Sequence, residues 1–440
     1  LKNSKVLSET EGWKLKMLKT HEFTTKKGLR VLILHRPEKY TTGFSLIINA
    51  GSIYETEKTS GISHFFEHLF FNGTKSHPSE QILREEMQEI GLGVGARTVR
   101  DQIEVYGSFP TEELENSLGL LKEIVFDSVL EETSINKERG VIFSEIAMRN
   151  DSNDTVLWEE AIKLRFKKGN PLGRPIGGTR ESVGNITRDE IIEYYKKYCV
   201  AKNSVLVVAS NASFEKLEEE IEKAFENATS GERIPEKDYS MKDMSGKIIS
   251  TIEKTTEHIY LMVSFPSKWE DELNRNWQRG FMTGLISEAL NKSLRMENGI
   301  VYDVYASGSG LSKNAGIFCI GTSFHPEAFP KVTSEIFKAI QDAKEGIFDI
   351  KTFERVRKTG NRTLPMNFDS MGGAMNWVVN SFYYNGEFYS PEEVIEARNK
   401  VTSSDMQKRA NEILDFSKIN VVSLGDIKQT ELIFEVEKYI

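Results

Sequence analysis

Three features of the 440-residue sequence predict an α+β fold of two similar halves, each an α/β-sandwich-like mixed sheet packed by helices. Apolar, β-branched runs at 29–34 and 43–50 read as strands and give way to helical periodicity from 60 onward. Near the ends of the halves, Ile186, Thr187 and the run 204–211 are echoed by Val401, Thr402 and the run 418–426. That is a repeat at a spacing of about 215 residues. Between them, 226–245 turns polar and carries Gly231 and Pro235, which marks a linker. The expected division is a first domain at 1–228, a linker at 229–245 and a second domain at 246–440.

Composition narrows the function classes. With 39% hydrophobic and 28% charged residues the chain reads as a soluble globular protein. A net charge of −9 leaves no basic surface able to neutralise many phosphates, so nucleic acid is not the expected partner. No apolar run is long enough to cross a bilayer, so a membrane is not expected either. The two cysteines, Cys199 and Cys319, are too few for a disulfide framework and read as small apolar fillers. The first residues lack a secretory hydrophobic core, and the expected compartment is cytoplasmic, with a targeting segment removed ahead of Leu1 as the alternative.

In chain order, the strands at 29–34 and 43–50 lead through Glu55 into a short helix at 60–73, with Ser60 expected as its N-cap and Asn72-Gly73 as its stop. At helical spacing, Ile62, Phe65, Phe66, Leu69 and Phe70 form one apolar stripe. His64, Glu67 and His68 fall on the opposite face. Two His at i and i+4 lie one turn apart, so their ring nitrogens reach a common ion. Glu67 between them is placed to handle the proton of an activated water rather than to add a ligand. The pattern His-x-x-Glu-His is the inverse of the commoner metalloprotease motif. Surface histidines on an ordinary helix are the other account, weakened by there being only seven His in the chain.

An amphipathic helix follows at 80–90, then a glycine-rich segment at 91–96 that opens an extended stretch to 106, and a helix at 112–126. A further helix beginning near Ser134 carries Glu138 and Glu145, seven apart and so almost in line. A three-ligand catalytic zinc site needs one more protein ligand, and Glu145 is the candidate; Glu138 suits an orienting role behind a ligand. Two solvated charges on a surface helix satisfy the same spacing. Two helices are expected over 156–200, a strand at 204–209 and a helix at 214–225. In the second half, 259–264 resembles the strand before the metal helix, and a long helix is expected from about Glu270 to Met296. At the place of the motif stands Gly280-Phe-Met-Thr-Gly284, so the second copy carries no metal site.

These residues resemble the pitrilysin-type zinc peptidases, the family of insulin-degrading enzyme and the mitochondrial processing peptidase, and the length suits its short, two-domain members. The resemblance rests on Ala50-Gly-Ser52, Glu55, Gly61, His64-Phe-Phe-Glu67-His68, Phe71-Asn-Gly-Thr74, Glu138 and Glu145, and covers essentially the whole chain. The 77-residue gap between His68 and Glu145 matches the family's gap to its third ligand. The resemblance therefore implies one Zn2+ held by His64, His68 and Glu145, with Glu67 as catalytic base. A further match is Arg295-Met-Glu-Asn-Gly299-Ile-Val-Tyr302, which has the spacing of the family's substrate-binding Arg and Tyr. That pair can hold a carbonyl and stabilise an oxyanion; a helix C-terminal Arg and a strand Tyr are the plainer account.

The resemblance also implies two halves of a clamshell facing each other across a chamber. One two-domain chain supplies half of it, and since this sequence keeps both motifs, a homodimer is the expected assembly. One departure stands out. Where the family has Asn-Ala-x-Thr, this chain has Gly95-Ala96-Arg97-Thr98, so strand pairing with an extended peptide is expected to persist through main-chain groups without the Asn side chain. Arg97 is expected to favour acidic peptides. The expected activity is a zinc endopeptidase acting on short unfolded peptides; the alternative is a non-catalytic or heterodimer-dependent subunit serving as an assembly or binding partner.

Overall fold

The computed structural model describes residues 19–237, 239, 244–268, 273–312, 315–385 and 389–440. Parts of the expected linker (238 and 240–243) and the expected start of the second-half helix near Glu270 lie outside the described residues.

The first half opens with β1 (Thr20–Thr24), β2 (Arg30–His35) and β3 (Thr41–Ile48), followed by α1 (Ile62–Leu69) and α2 (Glu80–Glu89). A hairpin of β4 (Gly93–Thr98) and β5 (Ile103–Pro110) comes next, then α3 (Leu114–Phe126), α4 (Glu132–Asp151) and α5 (Asn153–Arg165). Two capping-box helices, α6 (Arg180–Asn185) and α7 (Arg188–Tyr198), precede β6 (Ser204–Ser210) and α8 (Phe214–Phe225). Where two helices were expected over 156–200, the chain makes three, because Pro171 and the turn at Gly177-Gly178 break the periodicity.

The second half has β7 (Ile248–Glu253), β8 (Ile259–Ser267), α9 (Leu273–Leu290), β9 (Val301–Ser312) and β10 (Ala315–Phe324). It continues with α10 (Phe329–Glu345), α11 (Ile350–Thr363), α12 (Met371–Asn385), α13 (Pro391–Lys400), α14 (Ser403–Ile413), β11 (Asn420–Gly425) and α15 (Gln429–Val436).

The sheets repeat one topology. The first runs β1-β2-β6-β3-β5-β4 and the second β7-β11-β8-β10-β9. In both, a parallel pair (β2 with β6, β7 with β11) is followed by antiparallel strands ending in a hairpin, so β8 stands where β3 does and β9 where β4 does. This is the mixed, helix-packed pair of sheets that the repeat predicted. α1 and α9 are counterparts, each packed beside its sheet's last strand.

Continuous apolar runs require cover on both faces of a sheet. In the first sheet, Val31, Ile33, Leu46, Leu206 and Val208 join the core beneath the first-half helices. Leu32, Leu34, Ile47, Val207 and Ala209 face the other way and are covered by Phe368, Ala374, Met375, Val378 and Val379, all from the second half. Conversely, α5 of the first half packs on β8 and β11. Its fully buried Arg165 donates from Nη1 to the Lys418 carbonyl at 2.7 Å and from Nη2 to the Ser264 carbonyl at 2.8 Å. Each half thus completes the other's core. Among the described residues no helix is long and apolar enough to cross a membrane.

Candidate metal centre

The site is assembled on α1. Ile62, Phe65, Phe66 and Leu69 are buried as the helical stripe requires, which turns His64, Glu67 and His68 outward. The start of the helix differs from expectation. Gly61, not Ser60, is the N-cap, with φ 94°, a conformation that favours glycine. A neighbouring side chain does the capping: the Glu55 carboxylate accepts from the Gly61 amide at 2.8 Å and the Ser63 amide at 2.9 Å. A carboxylate reaching in from an upstream loop satisfies two free N–H groups at once. Burial nevertheless pushes the Glu55 carboxyl up to about 7.

α4 crosses α1 and brings two carboxylates to it. Glu145 Oε2 lies 3.7 Å from His64 Nε2 and 3.5 Å from His68 Nε2. Among the described residues, His64, His68 and Glu145 gather ligand atoms within 4.8 Å of one another. Ligands about 2.1 Å from a tetrahedral ion are about 3.4 Å apart, so these residues fit zinc. Glu138, nearly buried two turns earlier, lies behind His68, whose Nδ1–H is placed to donate to Glu138 Oε2 at 3.3 Å. Asn72 Nδ2 donates to the other oxygen at 3.2 Å. That pairing puts the His68 proton on Nδ1 and leaves the Nε2 lone pair facing Glu145. Burial, reinforced by the Arg149 guanidinium nearby, pushes His64 down to about 4, so its imidazole is neutral and able to ligate. His64 Nδ1 is buried without a hydrogen-bond partner. It faces Gly177, where a Cβ would sit 3.5 Å away.

Glu67 points from the same face toward the edge strand. The Thr98 hydroxyl donates to its Oε2 at 2.5 Å, and burial raises its carboxyl above the ordinary value. Thr98 was legible as part of a substrate strand but not as the partner of Glu67, since that depends on how β4 lies against α1. Val94 and Ala96 pack on the core, so Gly93, Gly95 and Arg97 face the opposite side of the sheet. Arg97 Nε donates to the buried Glu104 at 2.5 Å, and its guanidinium lies 5.6 Å from the Tyr106 ring centre.

Arg295 and Tyr302 stand together on the second half. Arg295 lies in a π-helical turn (Asn291–Glu297) that follows α9, and its guanidinium is 5.6 Å from the ring centre of Tyr302, which is 86% exposed at the start of β9. Neither makes a hydrogen bond or ion pair to the metal-centre residues within the chain. A cavity of about 950 Å³ opens between α9 and β9, lined by Gly280, Thr283, Gly284, Asn291, Arg295 and Ser307 among others. It is the counterpart of the metal centre, with glycines where the first half has histidines.

Comparison with known proteins gives consistent relatives. Residues 30–180 match the family model described as Insulinase (Peptidase family M16), and 185–359 match the Peptidase M16 inactive domain. An uncharacterized zinc protease of Rickettsia bellii (strain RML369-C) is 28% identical over 401 residues, 90% of this chain and 95% of that protein. The mitochondrial-processing peptidase subunit beta of Saccharomyces cerevisiae is 25% identical over 93% of this chain and 92% of its own. Among solved structures, a protease from Helicobacter pylori superposes with a TM-score of 0.82 at 18% identity, over 93% of this chain and all of that one. The first half of the periplasmic protease PqqL from Escherichia coli gives 0.79 at 15% identity, over 96% of each chain.

Proposed function

The chain belongs to the M16 family of zinc peptidases, and on that footing we propose that it is an endopeptidase that hydrolyses short unfolded peptides inside a chamber shared by two copies. One observation carries the reading: His64, His68 and Glu145 converge with Glu67 beside them on the open side of α1. A zinc ion bound there supplies a Lewis acid that activates water and polarises a peptide carbonyl. His64, His68 and Glu145 hold it, and Glu138 fixes the tautomer of His68. Glu67 takes the proton of the attacking water and delivers it to the departing amine nitrogen. Thr98 aims that carboxylate.

The substrate enters as an extended strand along β4, the outermost strand of the first sheet, and pairs through main-chain groups at Gly95 to Thr98. Arg295 and Tyr302, exposed and apart from the metal group in their own chain, serve the site of a second copy by holding the substrate carbonyl. A second reading is favoured by the description of 185–359 as an inactive domain and by the relative that is one subunit of a processing peptidase: the working partner is then a different chain. Metal analysis together with cleavage of a quenched peptide library by wild type and Glu67→Gln tests the proposal. About one zinc per chain, retained in Glu67→Gln while cleavage is lost, is the expected result; equal cleavage by both proteins sinks the assignment.

A further inference from the structure

Glycine at position 95 leaves a gap that the neighbouring strand fills. In the β4–β5 hairpin Gly95 pairs with Tyr106 and Arg97 with Glu104. A Cβ on Gly95 would meet Cζ and Oη of Tyr106, each at 3.4 Å. The hydroxyl end of the ring therefore lies across Gly95, directed at the open side of the edge strand. Laying an aromatic ring over an edge glycine is a known device for restoring cover to a bare backbone. The cover is incomplete here, since Tyr106 remains 43% exposed.

Arg97 extends the same surface. Its guanidinium is 5.6 Å from the Tyr106 ring centre, and the Arg97 side chain is 47% exposed. Its charge is matched at Nε by Glu104, whose Oε1 accepts from Ser45 Oγ at 2.6 Å. What faces outward is thus a ring beside a planar, charge-balanced guanidinium, flanked by the bare backbone of Gly93 and Gly95. Among the described residues, α12, which covers the Ile47 side of the first sheet, packs chiefly on β3 and β6.

We propose that Tyr106 and Arg97 form a specificity platform for one substrate side chain, that of the residue paired opposite Gly95, and that it selects aromatic residues there. The inference rests on the peptidase reading above for how the peptide arrives. A strand added to β4 places the side chain opposite Gly95 on the same sheet face as Gly95 itself, and directly opposed side chains are those in contact. With no Cβ intervening, that side chain meets the Tyr106 ring edge, and only a large flat group covers both ring and guanidinium. The expectation of acidic preference from Arg97 gives way, because Glu104 already balances that charge.

The test uses two peptide sets scanned through Phe, Leu, Ala and Glu at each position. One is cleavable, and the other carries a reduced –CH2–NH– link in place of the scissile amide, so binding is read without turnover. Wild type is expected to prefer Phe over Ala about fivefold at one position, in kcat/KM and in Kd alike, the size of a single aromatic pairing. Tyr106→Ala brings that ratio to near one, while Tyr106→Phe keeps it because the ring remains. An unchanged ratio in a folded Tyr106→Ala protein overturns the proposal. So does a preference for Glu that Arg97→Gln abolishes. If wild type cleaves nothing, the peptidase reading falls, and the Kd ratios still decide whether the platform exists.

Discussion

Thr98 and Glu67 are joined by a 2.5 Å hydrogen bond that ties the outermost strand of the first sheet to the metal helix. A hydroxyl donating to a carboxylate is a charge-assisted bond, and here it orients the carboxylate proposed to move a proton. Thr98→Val keeps the shape and removes the donor. Since hydrogen bonds to charged groups contribute about 1.5–3 kcal/mol, kcat/KM should fall roughly tenfold to a hundredfold. Zinc content should be unchanged and Thr98→Ser should recover most of the loss; steady-state kinetics with metal analysis reads all three.

Glu138 touches the proposed metal ligands through His68. Its Oε2 accepts from His68 Nδ1–H at 3.3 Å, and its Oε1 accepts from Asn72 Nδ2 at 3.2 Å. Glu138→Gln presents an amide that no longer enforces one tautomer. Loss of such a partner typically weakens metal binding by about 10- to 100-fold. Chelator competition should show zinc leaving Glu138→Gln at correspondingly lower chelator concentration, with wild type and Glu67→Gln alike.

Glu55 makes a stability prediction whose sign follows from burial. Its carboxyl is raised to about 7 against an ordinary value of 4.5. Between those two pH values the folded chain binds more protons than the unfolded one, so this group's contribution to stability is present below about pH 4.5 and declines as pH rises toward 7. Glu55→Gln does not titrate. The unfolding free energy of wild type relative to Glu55→Gln, read from melts at each pH, should therefore fall as pH rises across that window, by up to about 3 kcal/mol at about 1.36 kcal/mol per pH unit. Parallel curves from pH 4.5 to 7 would show that the carboxyl is not shifted.

What the sequence discloses about this molecule tracks how local each feature is. His64, Glu67 and His68 fall within one helical turn and a half, so periodicity alone turns them to one side and the phenylalanines to the other. Glu145 is a turn-spaced acid on a separate helix, and only the 77-residue gap shared with a family separates it from a solvated charge. The pairs Thr98–Glu67 and Gly95–Tyr106 depend on the register of the β4–β5 hairpin and its seat against α1, which no single segment encodes. Ser60 had the better capping chemistry on paper. Glu55 takes that role because a carboxylate five residues upstream of Ser60 satisfies two amides rather than one. The cover laid by Phe368 to Val379 over the first sheet was hidden for the same reason, although the unbroken apolar run of β2 already demanded a second face.

Among the described residues, Arg295 and Tyr302 make no hydrogen bond or ion pair to the metal group of their own chain, and this leads to the last prediction. If each active site joins the metal centre of one copy to Arg295 and Tyr302 of another, two defective chains can restore one good site. Glu67→Gln lacks the base but keeps the second-half pair; Arg295→Ala lacks the pair but keeps the base. Alone, each should be nearly inactive. Mixed at equal concentration and allowed to exchange, half of the dimers are hybrids, and each hybrid holds one intact and one doubly defective site. Activity should therefore return to about a quarter of wild type, with light scattering reporting a dimer throughout. A mixture that stays inactive while subunits demonstrably exchange would place Arg295 in service of its own chain or of a different partner. Recovery that depends on total protein concentration would in addition give the dissociation constant of the dimer, since hybrids form only as fast and as far as the copies associate.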